Sequence, residues 1–328
     1  MQNQKKSIFI LIAFVLVTVL GYAGYQVISN DTPAITQQIE QKTIAVHHAS
    51  GVTEVKTNPK KIVVMDFGVL DTLDTLGVEP ELLATPKQYT PKYLSKYTGE
   101  DVKDVGQMKQ PNLEKVAELK PDLIIMSGRQ APYYDKLAEI APTINLSVAN
   151  DGYMDALHSQ MTILGQIFQK EEKAEIEYQA LFAKVMETRR LAQESGKKSL
   201  MIITVGNKIN AYGPGMRFGF LYDKTSLDLP TVMEKSESVG VKSPGGKVIS
   251  YEYIKERNPD YILVIDRNAA TNQGGVTAKD LFDVDILKST NAYKNNKIIY
   301  VTPDLWYLAN NGYTGTMMML DEIQNAIK

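Results

Sequence analysis

Two stretches decide the fold: residues 113–129, LEKVAELKPDLIIMSGR, and residues 251–267, YEYIKERNPDYILVIDR. Each begins with helical spacing that ends before a Pro-Asp pair, because the residue before a proline is pushed out of the helical region. Each continues into a short apolar run, the pattern of a strand buried on both faces. Glu114 and Glu252, Pro121 and Pro259, and Arg129 and Arg267 are each 138 residues apart. Two copies are too few for a solenoid and fit two similar α/β lobes. Each arginine then stands just past the carboxyl end of a buried parallel strand, the sheet edge where open α/β folds take their ligands. Two lobes facing each other bring both arginines into one cleft. The two glutamates fall at the opposite ends of their units, exposed at matching places.

The alternation extends outward from these units. KKIVVMD (60–66) reads as a strand followed by the helical GVLDTLDTLG, LLAT (82–85) as a strand, and YYDKLAEIAPTINLS as a helix and then a strand. It resumes with KSLMIITV (198–205) and KIIYVT (297–302), so parallel strands with crossover helices are expected. Between the units, residues 153–195 keep helical periodicity with no proline, and Gly165 and KEEKAE (170–175) mark a bend or short break. A closing helix is expected over roughly 315–327. TIAVHHASGVTEVKTN alternates like an edge hairpin, which puts His47 and His48 at the surface.

At the amino terminus, Lys5 and Lys6 precede an uncharged run from Ile8 to Ile28. About 20 apolar residues suffice to span a bilayer, and lysines before the run place the rest of the chain outside the cytoplasm. A cleaved signal peptide, with Gly21-Tyr22-Ala23 as its processing site, and an uncleaved signal anchor both fit; the length of the run favours the anchor. The expected divisions are an anchor over 1–30, a tether over 31–43, an N-terminal lobe over 44–152, a connecting helix over 153–196 and a C-terminal lobe over 197–328.

Composition excludes several classes. With 36 Lys+Arg against 38 Asp+Glu, the chain lacks the basic excess of a general nucleic-acid binder. It has no cysteine, which removes disulfides, thiolate metal sites, cysteine nucleophiles and a thioether lipid anchor. No GxSxG, HExxH, P-loop or GxGxxG motif occurs. The best enzyme case is an anchored hydrolase using Asp66 and Asp104. Asp71 and Asp74 read as a solvated helix face.

The remaining candidates favour binding. Arg217 lies in YGPGMRFG (212–219), whose glycines and proline let backbone approach a ligand while the arginine is aimed at it. Arg129, Arg217 and Arg267 together suit a ligand of charge near −3, captured by planar donor forks. PDLWYLANNGYTG (303–315) carries the only tryptophan, Trp306, beside Tyr307 on a loop suited to a flat aromatic ligand. Tyr133, Tyr134, Tyr89 and Tyr93 are further cleft-wall candidates.

SGRQ, GPxxRFG, VxDRN and WYL, in that order, resemble the substrate-binding proteins of iron–siderophore ABC importers, nearest to the catecholate and petrobactin type; the likeness runs from about residue 44 to the end. The resemblance implies the helical-backbone (class III periplasmic-binding-protein) fold, two Rossmann-like lobes joined by a long helix, here behind an N-terminal transmembrane helix. It implies a monomeric receptor with no intrinsic cofactor and no nucleic-acid partner. Arg129, Arg217 and Arg267 would surround a ferric catecholate siderophore, with Tyr307, Trp306 and Tyr133 beside it. Glu114 and Glu252 would dock on an ABC permease. A haem or corrinoid receptor of the same fold is the alternative, and three arginines against two haem carboxylates speak against it. Some relatives carry an iron-ligating histidine where this chain reads KSPGGK (242–247), so Tyr307 is left to ligate alone or to hydrogen-bond. Relatives held by a lipidated cysteine also differ from this cysteine-free chain.

Overall fold

The computed structural model describes residues 41–149, 152–238, 241 and 246–328. The hydrophobic run 8–28, the tether up to residue 40 and residues 242–245 of the KSPGGK loop lie outside the described residues. Among the described residues no helix is long and apolar enough to cross a membrane.

The chain enters as a hairpin of β1 (Thr43–His48) and β2 (Gly51–Lys56). Thr53 Oγ1 donates to the Thr143 carbonyl and the Ala49 amide to the Asn145 carbonyl, so the hairpin covers one edge of the first sheet. That sheet contains β3 (Lys61–Val64), β4 (Leu82–Thr85) and β5 (Lys103–Asp104). A small hairpin of β6 (Gly106–Gln107) and β7 (Gln110–Pro111) interrupts it, and β8 (Leu123–Met126) and β9 (Thr143–Asn145) complete it. The order is β5-β4-β3-β8-β9 and every pairing is parallel. All four residues of β8 are fully buried, as its apolar run requires.

The second sheet holds β10 (Ser199–Val205), β11 (Lys208–Tyr212), β12 (Lys247–Ile249), β13 (Tyr261–Asp266) and β14 (Ile298–Tyr300) in the order β12-β11-β10-β13-β14. Here the parallel expectation holds only on one side. β10, β13 and β14 are parallel, whereas β10–β11 and β11–β12 are antiparallel. The cause is the two-residue connection Gly206-Asn207, too short for a crossover; Gly206 takes the left-handed φ of 56° that such a turn needs.

The repeat is physical as well as textual. The Asp122 carboxylate accepts the Lys60 and Lys61 amides at 2.8 Å each, and the Asp260 carboxylate accepts the Lys198 amide at 2.8 Å. Each Pro-Asp thus clamps the start of its own strand to the start of the neighbouring one. The preceding helices, Leu113–Glu118 and Tyr251–Arg257, are capped at the same offset by Asn112 and Ser250, whose side chains accept the Lys115 and Tyr253 amides.

The single connecting helix expected over 153–196 is two helices, Tyr153–Phe168 and Glu171–Ser195. Gln169 adopts a left-handed φ of 54°, and the Lys170 amide closes back on the Gly165 carbonyl, which ends the first helix. The two pack as a hairpin. Gly165 sits where a Cβ would lie 3.0 Å from that of Ala174. The C-terminal helix Tyr313–Ile327 begins two residues earlier than expected and packs on both Glu171–Ser195 and Phe67–Leu76.

Candidate functional site

The carboxyl ends of β3 and β8 and the segment 307–311 enclose a cavity of about 560 Å³ whose lining includes Arg129, Arg217, Lys109, Asp66, Tyr307 and Asn311. Arg129 begins where β8 ends, in the turn Gly128–Tyr133. Arg217 lies on the loop after β11. Arg267 opens the short helix Arg267–Ala270 after β13. Tyr307 lies in the helix Pro303–Leu308 after β14, with a proline in its first turn.

All three arginines meet at Tyr307. Arg129 Nη2 and Arg217 Nη2 donate to its carbonyl at 2.7 and 2.5 Å, and Arg267 Nε donates to its hydroxyl at 3.2 Å. The Arg217 guanidinium also lies 4.5 Å from the centre of its ring, and that of Arg267 5.9 Å. Burial lowers the pKa of Arg217 to about 10, with the Arg129 charge acting in the same direction, so it stays charged at neutral pH. Burial pushes the Tyr307 phenol up, but the hydrogen bond from Arg267 and the charges of Arg217, Arg267 and Lys109 outweigh it, and the phenol is more acidic than usual.

Sequence reasoning missed Lys109. It rides the tip of the β6–β7 hairpin, in a stretch with no motif to flag it. Buried Gln130 holds that hairpin by donating to the Met65 and Met108 carbonyls, while its Oε1 accepts the Ser127 amide. Asp66 is not placed as a hydrolase acid. One oxygen accepts the Gly68 and Val69 amides and Asn311 Nδ2, and the other accepts the Ser127 hydroxyl at 2.7 Å and pairs with Arg129 at 3.7 Å. Arg129 apart, every donor it holds is structural, and Asp104 is likewise occupied by the Lys87 and Gly106 amides. Arg267 does not line the cavity and reaches it only through the Tyr307 hydroxyl; counting it, four cations against one carboxylate leave three positive charges around Tyr307.

The expectations for Trp306, Tyr133, Asp71 and the wall candidates Tyr134, Tyr93 and Tyr89 need correction. Trp306 does not face the cavity. It is fully buried, its indole N–H donates to Glu322 at 2.6 Å, and its ring packs near Phe218 and Phe220. Successive helical residues point about 100° apart, so Tyr307 can face the cavity only if Trp306 turns away. Tyr133 does not line the cavity either; the turn that aims Arg129 into it carries Tyr133 onto the small core of Val63, Ile124 and Met126. Asp71 is fully buried, not solvated, while its neighbour Asp74 pairs with Lys96. Tyr134 packs beside the His48 ring, and Tyr93 donates to Asp71. Tyr89 borders a separate hollow of about 660 Å³. There both acids are taken, Asp266 by the Ala269 and Ala278 amides and Asp304 by the Lys92 amide, so this hollow lacks the convergence of cations seen around Tyr307. Glu114 and Glu252 are exposed in the first turns of their helices.

Residues 62–305 match the family model described as periplasmic binding protein. The petrobactin-binding protein YclQ of Bacillus subtilis is 37% identical over 99% of both chains. Its crystal structure superposes with a TM-score of 0.82 over 88% of this chain and 99% of that one. The ferric-anguibactin-binding protein FatB of Vibrio anguillarum is 29% identical over 97% of this chain and 98% of its own. The periplasmic catecholate-siderophore binding protein VctP of Vibrio cholerae is 30% identical with a TM-score of 0.78 over 87% of this chain and 100% of that one. These relatives are named as binding proteins, not enzymes. The α/β fold with two sheets joined through helices, and the match over most of its length, place this chain in the periplasmic binding protein family.

Proposed function

We propose that this protein is the receptor for a ferric catecholate siderophore, which it binds outside the cytoplasmic membrane and delivers to an ABC permease. The observation that carries the reading is the meeting of Arg129, Arg217 and Arg267 on Tyr307, with Lys109 beside them. Iron(III) held by six catecholate oxygens carries a charge of −3 by counting formal charges, equal and opposite to the site. Arg forks suit such oxygens because they donate several hydrogen bonds from a fixed plane. The names of the relatives point to the same ligand class. The protein would bind and release its cargo unchanged; iron is cargo, not a resident cofactor. In this reading Tyr307, with its acidified phenol, hydrogen-bonds a catecholate oxygen, and it ligates the iron only where the siderophore leaves a coordination position open.

The finer assignments belong to the same proposal. Residues 44–152 and 197–328 form the two lobes and 153–196 their connection. Glu114 and Glu252, one per lobe, dock on basic pockets of the permease. The apolar run before residue 30 anchors a monomer to the outer face of the membrane, the role a lipidated cysteine cannot fill in this chain.

Trp306 reports occupancy, since it is the only tryptophan and adjoins Tyr307. Ferric petrobactin or an iron(III) tris-catecholate should quench its emission saturably, by energy transfer to the coloured complex. Saturable quenching by haemin and none by either ferric catecholate would overturn the reading.

A further inference from the structure

We propose that Asp71 is a positioning residue for the ligand site: from one lobe it caps the C-terminal helix that belongs to the other, and so holds Tyr307 among the arginines. The proposal rests on reading the arginine-lined cavity as the ferric-siderophore site. The helix Tyr313–Ile327 starts at Gly312 with no side-chain cap of its own and no acid in its first turn. A helix start leaves backbone N–H groups unpaired and attracts negative charge. Asp71 fills both needs across the lobe boundary. Its oxygens accept the Gly315 amide at 2.7 Å and the Thr314 amide at 3.1 Å, and the Tyr93 hydroxyl donates at 3.1 Å. The approach depends on missing side chains. A Cβ on Gly312 would lie 2.3 Å from Asp71 Oδ2, and one on Gly68 2.3 Å from Asn311 Oδ1.

Further along, the capped helix supports the segment that carries Tyr307. Glu322, on that helix, accepts the Thr302 hydroxyl at 2.5 Å and the Trp306 indole N–H at 2.6 Å. These two residues flank the start and the middle of the Pro303–Leu308 segment that carries Tyr307. A shift of the C-terminal helix therefore moves the residue on which all three arginines converge. Precision of about 0.5 Å at a site needs such support behind it.

The groups facing Asp71 are acids and phenols: Asp66 and Asp74 along its own helix, Tyr93 and Tyr97 from the turn over 92–98, Tyr153 from the first connecting helix, and Tyr313 from the capped helix. Lys96, the nearby cation, is held by Asp74. Burial raises the Asp71 carboxyl from 3.8 to about 6, against the opposing pull of its hydrogen bonds from Gly315, Thr314 and Tyr93. A carboxyl that holds its proton more tightly when folded adds stability at low pH, and that addition is lost as pH rises through about 6. The wild-type thermal midpoint should therefore carry a component that falls between about pH 4 and 6 and is flat above about pH 7.

The test compares wild type, Asp71→Asn and Tyr93→Phe in the full chain. It uses thermal melts from pH 4 to 7.5, amide hydrogen exchange over residues 313–320, and the Kd for ferric petrobactin at pH 7.5. Asp71→Asn should remove the pH-dependent component, speed exchange in the first turn of the C-terminal helix, and weaken binding about tenfold. Tyr93→Phe removes one donor and keeps the carboxylate, so it should move the pH-dependent component upward and weaken binding about threefold. Should Asp71→Asn fail to fold, Tyr93→Phe carries the test alone. Faster exchange with an unchanged Kd in the folded variant would overturn the positioning role. Wild-type protein that binds no ferric catecholate overturns the receptor reading and the positioning role with it, while the exchange and pH data still decide the cross-lobe cap.

Discussion

The two halves of the molecule use the same device to build a strand pair and opposite devices to hold the arginine that follows it. Asp122 and Asp260 clamp their strand starts alike, and the helices before them are capped at the same offset. Beyond the strand ends the halves part. Arg129 is pinned by Asp66, whereas the position 138 residues after Asp66 is Thr204, whose hydroxyl reaches only the Ile265 carbonyl at 3.5 Å. Arg267 is left with the Tyr307 hydroxyl and Gln273 as partners. A duplicated unit thus yields one arginine fixed by a buried acid and one held only by neutral groups. The first sets the frame of the site, and the second has more of its charge available to a ligand.

The largest effect should separate these roles. Asp66→Ala strips a buried acid from two helix amides, Asn311, Ser127 and Arg129, and should cost about 3 kcal/mol or more of stability in denaturant unfolding. Thr204→Ala at the matching place should cost about 1 kcal/mol or less. Equal losses would erase the asymmetry. On affinity the order reverses. Arg267→Ala and Arg217→Ala should each weaken the ferric complex by about 1.5–3 kcal/mol, roughly 10- to 150-fold in Kd. Arg267→Ala should leave the melting temperature nearly unchanged, while Arg129→Ala lowers both affinity and stability. An Arg267→Ala protein with wild-type Kd would show that the second arginine takes no part in binding. The smallest effects test the shared device. Asp122→Ala and Asp260→Ala should cost similar amounts, about 1 kcal/mol each, because each carboxylate holds two donors: the Lys60 and Lys61 amides for Asp122, the Lys198 amide and Asn291 Nδ2 for Asp260.

Much of this was legible in the sequence, and the exceptions have physical causes. The Pro-Asp strand units, the hairpin of His47 and His48 and the convergence of Arg129, Arg217 and Arg267 follow from short-range signals: a proline boundary, a period of two, a strand end. The antiparallel strand β11 was not read, although Gly206 and a two-residue gap were there to mark it. Trp306 was misplaced because adjacency in sequence hides the rotation of a helix, which turns one ring into the core and the next into the cavity. Asp71 read as solvated because its periodicity with Asp74 describes one helix alone, and its cover comes from a segment more than 240 residues away. Lys109 has no motif; only the fold lifts it to the cavity.

Charge recognition at this cavity is what the receptor role depends on. The most direct measurement is a set of parallel titrations of wild-type protein with one catecholate siderophore, petrobactin, in its iron(III) form, its gallium(III) form and free of metal. Gallium(III) has the same charge and a similar size. The two metal complexes should bind with Kd values within about threefold of each other, and the metal-free molecule at least about a hundredfold more weakly, a difference of about 2.7 kcal/mol. Metal-free petrobactin binding as tightly as the ferric complex would contradict charge recognition.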